Sequence, residues 1–262
     1  MIKLQDLCAF LEEFAPPCLA EDWDNIGLLV GDPQRAIQRV MTCLTITPAS
    51  ADEAVEEGAH VIVAHHPLPF RPLQRLTTET TAGRLLLRLI GAGVAIYSPH
   101  TAFDSALGGI NQQWAEALEL QDIQPLAAVP DMPGAGTGRY GQLTPARPLA
   151  SVIQRLKQFL GLEGLHVVGA ADRRIRRVGV ACGAAGQLLG PAIRAGCDAL
   201  VTGETNFHTC LEAEARGVAL LLPGHFASER FAVETLARQI EQALEELAVW
   251  PSRREADPLR WQ

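Results

Sequence analysis

Short apolar segments alternate with longer amphipathic segments along most of the chain. Residues 39–46, 60–66 and 94–100 have the length and the β-branched content of buried strands. Residues 48–58 and 80–93, which lie between them, have the apolar spacing of helices. Strands that alternate with helices predict an α/β protein whose strands pair largely in parallel.

A Pro- and Gly-rich stretch, VPDMPGAGTG at residues 129–138, interrupts this pattern, which then resumes. Such a composition is typical of a connection between structural units. We therefore predict two lobes of the three-layer α/β/α type. The first lobe spans residues 1–128 and the second spans residues 129–224.

Residues 225–262 are predicted to form one long helix that ends near Trp250, followed by a mobile tail. Periodicity does not decide whether this helix caps the second lobe or packs back on the first. Trp250 and Trp261 give the end of the chain two apolar groups that can dock on a neighbouring surface.

Composition excludes several classes of protein. The 262 residues are 48 % hydrophobic and 20 % charged, which is typical of a globular protein, and the longest apolar runs fall short of the roughly 18 residues of a membrane span. The first residues, MIKLQDLCAFLEEFAPP, resemble an amphipathic helix rather than a signal peptide, so we expect a cytoplasmic protein.

A net charge of −8 disfavours binding to nucleic acids and anionic membranes. The six cysteines lack C-x-x-C spacing, which disfavours a disulfide framework or a cysteine zinc site.

Ionisable residues follow four of the predicted strands directly. His65 and His66 follow one strand, and His100, Glu204 and His225 each follow another. In open α/β sheets, ligands bind beyond the carboxyl ends of the strands. We therefore expect the functional site at these strand ends.

The spacing of these residues indicates metal binding. An imidazole and a carboxylate are separated by four residues in three pairs: His100 and Asp104, Glu204 and His208, and His225 and Glu229. On a helix, residues four apart share a face. Imidazole nitrogen and carboxylate oxygen together bind divalent first-row metals, and this donor set is compatible with Zn, Fe, Mn, Ni or Co.

Adjacent histidines at a strand end favour a dinuclear site. Side chains of consecutive strand residues point in opposite directions, so His65 and His66 can bind one ion only if the backbone turns between them. Pro67 and Pro69 favour such a turn. Two ions about 3.5–4 Å apart would instead let each histidine bind a different one.

At these residues the chain resembles the Nif-three-like family, often described as type 2 homologues of GTP cyclohydrolase I. The resemblance extends over nearly the whole chain and depends on six segments in order: EDWDNIGLLVGDP (21–33), AHHPLPF (64–70), SPHTAFD (98–104), GTGRYGQL (136–143), VTGETNFH (201–208) and GHFASE (224–229).

The resemblance implies a two-lobed α/β protein that binds two divalent ions between its lobes and assembles as a hexameric ring. It implies metal ligation by His65, His66, Asp104, His225 and Glu229. It places His100, Glu204 and His208 near the metals, where they support the ligands or transfer protons. Ala102 and Phe103 depart from the family pattern, which has an amide and an aliphatic residue there, and this departure leaves the reaction specificity open.

Three other motifs have simpler interpretations. GAGTGRYG precedes a strand and does not open a helix, so it is not a dinucleotide fingerprint. Residues 181–190, ACGAAGQLLG, form a small-residue turn for which close packing is favoured over phosphate binding. Local turn hydrogen bonds explain Asp24 and Asn25. His60 and His166 lie outside the metal pattern and are assigned no role.

Three functions remain open at this point. The first is a metal-dependent hydrolase that acts on GTP or on a related nucleotide or heterocycle, with His100 or Glu204 moving protons. The second is a metallochaperone without turnover, and the third is a regulatory interaction protein in which the metals only stabilise the assembly.

Overall fold

The computed structural model describes residues 1–260. In chain order, the first half contains α1 (Leu4–Phe14), β1 (Gly27–Val30), β2 (Arg39–Cys43), α2 (Pro48–Glu56), β3 (Val61–Ala64), α3 (Thr81–Gly91), β4 (Ala95–Ser98), α4 (His100–Ser105), α5 (Ile110–Ala117), β5 (Gln121–Gln124) and β6 (Ala127–Ala128). The second half contains β7 (Gly136–Thr137), β8 (Arg139–Pro148), α6 (Leu149–Leu160), β9 (His166–Val168), β10 (Arg174–Ala181), α7 (Leu189–Arg194), β11 (Ala199–Thr202), α8 (Phe207–Ala215), β12 (Ala219–Leu222), α9 (His225–Ala243) and β13 (Ala248–Pro251). The predicted α/β class is confirmed.

Two compact units make up the chain. Unit 1 comprises Met1–Phe103 together with the chain from Ala232 onward, and unit 2 comprises Asp104–Phe231. The boundaries therefore lie within α4 and α9, whereas the pattern of the sequence predicts them after residues 128 and 224. Residues 104–128 belong to unit 2 because they contribute β5, which pairs antiparallel with β8.

The sheet of unit 1 has the strand order β1-β4-β3-β2-β13. Strands β2, β3 and β4 are parallel and are connected through α2 and α3, while β1 pairs antiparallel with β4. Every residue of β3 and β4 is buried, as expected for strands covered on both faces. Because Val63 pairs in register with Tyr97, the residues that follow β3 and β4 leave the sheet at the same edge.

The sheet of unit 2 has the order β5-β8-β10-β11-β12-β9 and is mixed. Only β10, β11 and β12 are parallel, whereas β5, β8 and β9 pair antiparallel with their neighbours. The expectation of largely parallel pairing therefore holds for unit 1 and for the centre of this sheet. Strands β11 and β12 end side by side, two positions before Glu204 and three positions before His225.

A fully buried guanidinium, that of Arg139, stabilises the loops of unit 2. It donates hydrogen bonds to four backbone carbonyls, those of Ser105, Ala106, Gly136 and Gly138, and to the side chain of Gln112. Burial lowers the pKa of Arg139 to about 10. Ser105 and Ala106 directly follow Asp104, so this network also fixes the backbone next to a predicted metal ligand.

The end of the chain differs from the prediction. Helix α9 ends at Ala243 rather than near Trp250, and Ala248–Pro251 add a parallel strand beside β2. The segment AVWP is compatible with a strand because valine and tryptophan favour β structure and β2 offers a free edge. The Arg39 guanidinium lies 5.0 Å from the centroid of the Trp250 ring. Trp261 lies outside the described residues.

Residues 252–255, predicted as part of a mobile tail, are held in place by hydrogen bonds within unit 1. The buried carboxylate of Glu53 accepts hydrogen bonds from the Ser252 hydroxyl and from the backbone N–H groups of Arg253 and Arg254. Burial raises the pKa of Glu53, but these hydrogen bonds outweigh burial and hold its pKa below the ordinary value. The Glu255 carboxylate accepts from the N–H groups of residues 44 and 45, at 3.0 and 2.8 Å.

Replacing Glu53 with Gln is expected to lower the free energy of unfolding at pH 7 by about 2 kcal/mol, because a buried acceptor of several hydrogen bonds becomes partly a donor. A group whose pKa is lowered by folding contributes stability above its ordinary pKa and loses it as the pH falls through the lowered value. Urea unfolding should therefore separate Glu53→Gln from wild type at pH 7 and bring the two together in acid. Glu79→Gln, at an exposed loop position away from this segment, should match wild type. A loss of stability at Glu53→Gln that persists undiminished in acid would contradict this account.

None of the helices within residues 1–260 combines the length and apolar character needed to cross a membrane.

Candidate metal centre

Three histidines of unit 1 converge where β3 and β4 end. His65 and His66 directly follow β3, and His100 begins α4 two residues after β4. The ring centroid of His65 lies 5.1 Å from that of His66 and 5.2 Å from that of His100, and the His66–His100 distance is 5.6 Å. One ligand nitrogen from each ring lies within 4.8 Å of those of the other two. The group has the size of a metal-binding cluster.

Neighbouring hydroxyls orient the first two histidines. The Thr45 hydroxyl lies 2.7 Å from Nδ1 of His66, which leaves Nε2 as the nitrogen that can face a ligand. The Ser98 hydroxyl donates to the backbone carbonyl of His65 at 2.7 Å and so fixes the backbone between the two histidines. The His65 side chain is only 2 % exposed.

Asp24 makes the expected local turn hydrogen bonds, from the Asn25 N–H and to the Glu21 carbonyl, and in addition orients the third histidine. Its Oδ1 lies 2.7 Å from Nδ1 of His100, and its Oδ2 accepts from the N–H and the hydroxyl of Thr101. Burial raises the pKa of Asp24, but the hydrogen bonds from His100 and Thr101 outweigh it and lower the pKa to about 2. Asp24 is therefore an anion that accepts from Nδ1 of His100 and so orients the ring with Nε2 on the side away from Asp24.

The backbone of His100 is strained. Its φ is +26°, a region that residues other than glycine rarely adopt. Strain of this kind costs about 1–3 kcal/mol and persists only where the surroundings impose it. Here Asp24 bonds both the His100 ring and the next residue, Thr101, and so imposes the conformation.

In unit 2, His225 lies between two carboxylates. Its Nε2 is 3.1 Å from Oε2 of Glu229, one turn further along α9, and its Nδ1 is 2.9 Å from Oε1 of Glu204. The hydrogen bond to Glu229 is the main reason that the pKa of His225 rises to about 9, with Glu204 adding to it against the effect of burial. A cation bound at Nε2 would replace the proton that this arrangement favours.

Glu204 does not pair with His208 as the spacing predicts. Helix α8 begins only at Phe207, so Glu204 precedes it and the four-residue spacing does not place both side chains on one helical face. Glu204 contacts His225 instead, and His208 is exposed with its ring 6.0 Å from that of Phe207. The spacing of His100 and Asp104 does fall within one helix, α4.

Asp104 has partners that the sequence analysis did not identify. Its Oδ1 accepts a hydrogen bond from the Cys182 thiol at 3.1 Å, and its backbone carbonyl accepts from the amide of Asn111. Burial, together with the charges of Asp104 and Glu229, raises the pKa of the Cys182 thiol. The thiol therefore stays protonated and acts as a donor to the carboxylate. Cys182 directly follows β10, and a polar position at a strand end was the available signal.

Close approach of backbone to the Glu229 carboxylate requires glycine at position 183. Gly183 has φ +64°, and a Cβ atom there would lie 2.5 Å from Oε1 of Glu229 and 3.5 Å from Nε2 of His225. A side chain at this position would occupy the space beside both donor groups. The absence of a side chain at Gly183 thus leaves open space beside His225 and Glu229.

The donors in both units fit a divalent cation. Neutral imidazole nitrogen and carboxylate oxygen are ligands for first-row divalent metals, and the outer partners Thr45 and Glu204 engage the second nitrogen of His66 and His225 as such partners do in metal proteins. The His and Glu groups described here can therefore hold a metal.

A cleft of about 600 Å³ opens in unit 2 next to Glu204. Its walls combine the small-residue turn Ala184, Gly186 and Gln187 with Glu204, Thr205, Asn206 and Thr209. The turn is closely packed, because a Cβ atom on Gly186 would clash with the Thr205 hydroxyl, and Asn206 caps the neighbouring α8 by accepting from the Thr209 N–H at 3.0 Å. The helix after the turn, α7, has only six residues.

Replacing Thr45 with Val is expected to weaken divalent-metal binding by about tenfold, because His66 would lose the hydroxyl that fixes its ring. A competition titration against a chelating indicator measures this change. Thr78→Val, at an exposed loop position, should leave the affinity unaltered. Equal affinity of Thr45→Val and wild type would show that the hydroxyl does not orient a ligand.

The chain is similar to one family of known proteins along nearly its whole length. The model of the Duf34/NIF3 (NGG1p interacting factor 3) family matches residues 2–258. A GTP cyclohydrolase 1 type 2 homolog of Clostridium acetobutylicum is 31 % identical over 252 residues, covering 95 % of this chain and 93 % of the relative. NIF3-like protein 1 of Drosophila melanogaster is 33 % identical over 267 residues, covering 98 % of this chain and 88 % of the relative.

A solved structure shares the fold. The crystal structure of a Bacillus cereus protein related to NIF3 superposes with a TM-score of 0.90 at 24 % identity, covering 100 % of this chain and 99 % of the other. At this identity the likeness concerns the fold alone.

Proposed function

The chain belongs to the Duf34/NIF3 family, and from this premise we propose that it binds two divalent metal ions and uses them in a hydrolytic reaction. The proposed ligands are five side chains: His65, His66, Asp104, His225 and Glu229. The observation that carries this proposal is that His65 and His66 offer ligand nitrogens within 4.8 Å of each other and of a His100 nitrogen, which supports His100 as a neighbour of the proposed ligands.

The reacting groups would come from side chains that touch these ligands. A bound divalent ion supplies a Lewis acid and a water of lowered pKa. In hydrolysis of a heterocycle, water adds to a ring carbon, a C–N bond breaks, and a proton passes to the leaving nitrogen. His100 is suited to this transfer, because Asp24 engages its Nδ1 and leaves Nε2 to accept and return a proton.

The proposed substrate class is taken from the names of the relatives. Relatives 31 % and 32 % identical are named GTP cyclohydrolase 1 type 2 homolog, so GTP or a related nucleotide is the proposed substrate. Assembly as a homohexamer and a cytoplasmic location are part of the same proposal.

Metal delivery without turnover is the second candidate. The side chains of His225 and Glu204 are 35 % and 53 % exposed, which favours exchange of an ion with a partner. Rapid transfer of bound metal to an apo acceptor protein, without turnover of any nucleotide, would favour this candidate over a hydrolase.

Turnover separates the two candidates. Protein loaded in turn with Zn²⁺, Mn²⁺, Fe²⁺, Co²⁺ and Ni²⁺ is incubated with GTP, and ring opening is followed by the loss of purine absorbance. Wild type should turn over GTP or a related nucleotide, and His100→Gln should lower kcat by about 100-fold or more while keeping its metal. His60→Gln, which lies outside the cluster, serves as the matched control. A metal-loaded wild type that leaves every nucleotide intact would reject the hydrolase.

A further inference from the structure

Two large aromatic side chains are exposed beside the histidine cluster of unit 1. Trp23 is 61 % exposed and Phe70 is 45 % exposed. The ring centroid of His100 lies 6.0 Å from that of Trp23 and 6.2 Å from that of Phe70, and the two aromatic rings are 6.0 Å apart. We call Trp23 and Phe70 the aromatic rim.

Long-range hydrogen bonds hold both segments of the aromatic rim in place. Asp24, next to Trp23, bonds His100 and Thr101. The side-chain amide of Asn25 donates to the carbonyl of Pro69, next to Phe70, at 2.7 Å and so joins the two segments. The rim is thus preorganised rather than a mobile surface patch.

The rings of the rim are not stacked on one another. Trp23 meets Phe70 at 62° and His100 at 76°, while Phe70 meets His100 at 86°. Edge-to-face contacts of this kind leave most of the indole surface of Trp23 exposed to water. Large apolar side chains are seldom held in an exposed position beside titratable groups. The proposed metal ligation and proton transfer do not require either aromatic ring.

We propose that the aromatic rim binds the planar ring of a heterocyclic ligand by stacking and thereby places that ring beside the histidine cluster. Stacking on an aromatic side chain stabilises any flat heterocycle and tolerates changes of its substituents. This inference deepens the proposed function and rests on it for the reaction, but the binding itself requires no metal.

Guanosine, which carries a planar ring and no charge, is the probe for this test. It is titrated into chelator-treated, metal-free protein, with tryptophan fluorescence and isothermal titration calorimetry as readouts. Wild type should show saturable quenching. Trp23→Ala should remove this quenching and weaken binding about tenfold, the factor that corresponds to 1.4 kcal/mol. Trp23→Phe should restore affinity to within about threefold of wild type.

Control variants separate stacking from general hydrophobic burial. Phe70→Leu keeps apolar bulk but removes the aromatic face, so it should weaken guanosine binding about as much as Phe70→Ala. Ile90→Ala, a 47 % exposed apolar position on α3, should bind guanosine like wild type, and ribose should fail to quench any variant.

Several outcomes would overturn the inference. These are absence of guanosine binding to wild type at millimolar concentration, unchanged affinity in Trp23→Ala, and full affinity in Phe70→Leu. A change of molar mass on light scattering in Trp23→Ala would assign the rim to a second copy of this chain instead. Metal content is measured separately. If wild type binds no divalent metal but still binds guanosine through Trp23, the proposed function is rejected and this inference stands.

Discussion

Replacing His65 with Ala is expected to weaken divalent-metal binding by about 100-fold or more. Loss of a residue that only supports a ligand typically costs 10–100-fold in metal affinity, so loss of a ligand itself should cost at least as much. His65 is buried, and its ring lies close to those of His66 and His100, so a water molecule is a poor replacement for its nitrogen. Elemental analysis after dialysis in a metal buffer gives the stoichiometry, and a competition titration gives the affinity.

A second histidine serves as the matched control for this experiment. His166 lies at an exposed position in the edge strand β9, outside the cluster, so His166→Ala should keep the wild-type stoichiometry and affinity. Circular dichroism would show that both variants are folded. If His65→Ala retained the metal content of wild type, His65 would not be a ligand and the proposed dinuclear centre would lose its most buried member.

The second large effect is expected for Arg139. Replacing it with Ala would leave four backbone carbonyls of unit 2 without their donor in a buried environment, at a cost of about 1–3 kcal/mol for each unsatisfied group that water does not reach. Because water enters part of the space, we expect a loss of roughly 4 kcal/mol or more in the free energy of unfolding. Urea denaturation followed by circular dichroism measures it.

Arg139→Lys provides the more discriminating variant. An ammonium group keeps the charge but has three donors and no planar fork, so it cannot serve the carbonyls of Ser105, Ala106, Gly136 and Gly138 together, and it should recover only part of the loss. Arg155→Ala, which removes a half-exposed guanidinium bonded to the Ala117 carbonyl, is the matched control and should cost much less. Equal stability of Arg139→Lys and wild type would show that charge, not the fork of donors, is what the site requires.

Local patterns in the sequence were sufficient to predict much of the fold. Short-range hydrophobic patterns predict the α/β class and the buried strands around Val61–Ala64 and Ala95–Ser98. The histidines that follow these strands were visible as polar residues at the ends of apolar runs. The spacing of His225 and Glu229 also corresponds to a contact, because α9 begins at His225 itself.

Contacts between residues distant in sequence could not be predicted in this way. Asp24 bonds a histidine 76 residues away, and β13 pairs with a strand near the start of the chain, so neither has a local signature. The predicted Glu204–His208 pair is wrong for a local reason, since the three residues before Phe207 do not continue the helix. A four-residue spacing indicates proximity only where the helix start is known.

The order of synthesis matters for the histidine cluster, because unit 1 is discontinuous. Unit 2, residues 104–231, is a single uninterrupted stretch that can fold as it leaves the ribosome. Unit 1 must wait for β13 to close the sheet beside β2 and for Glu255 to bind the N–H groups of Leu44 and Thr45. Thr45 is the residue that orients His66, so the surroundings of the histidine cluster are complete only after residue 255 has been synthesised and has bound Leu44 and Thr45.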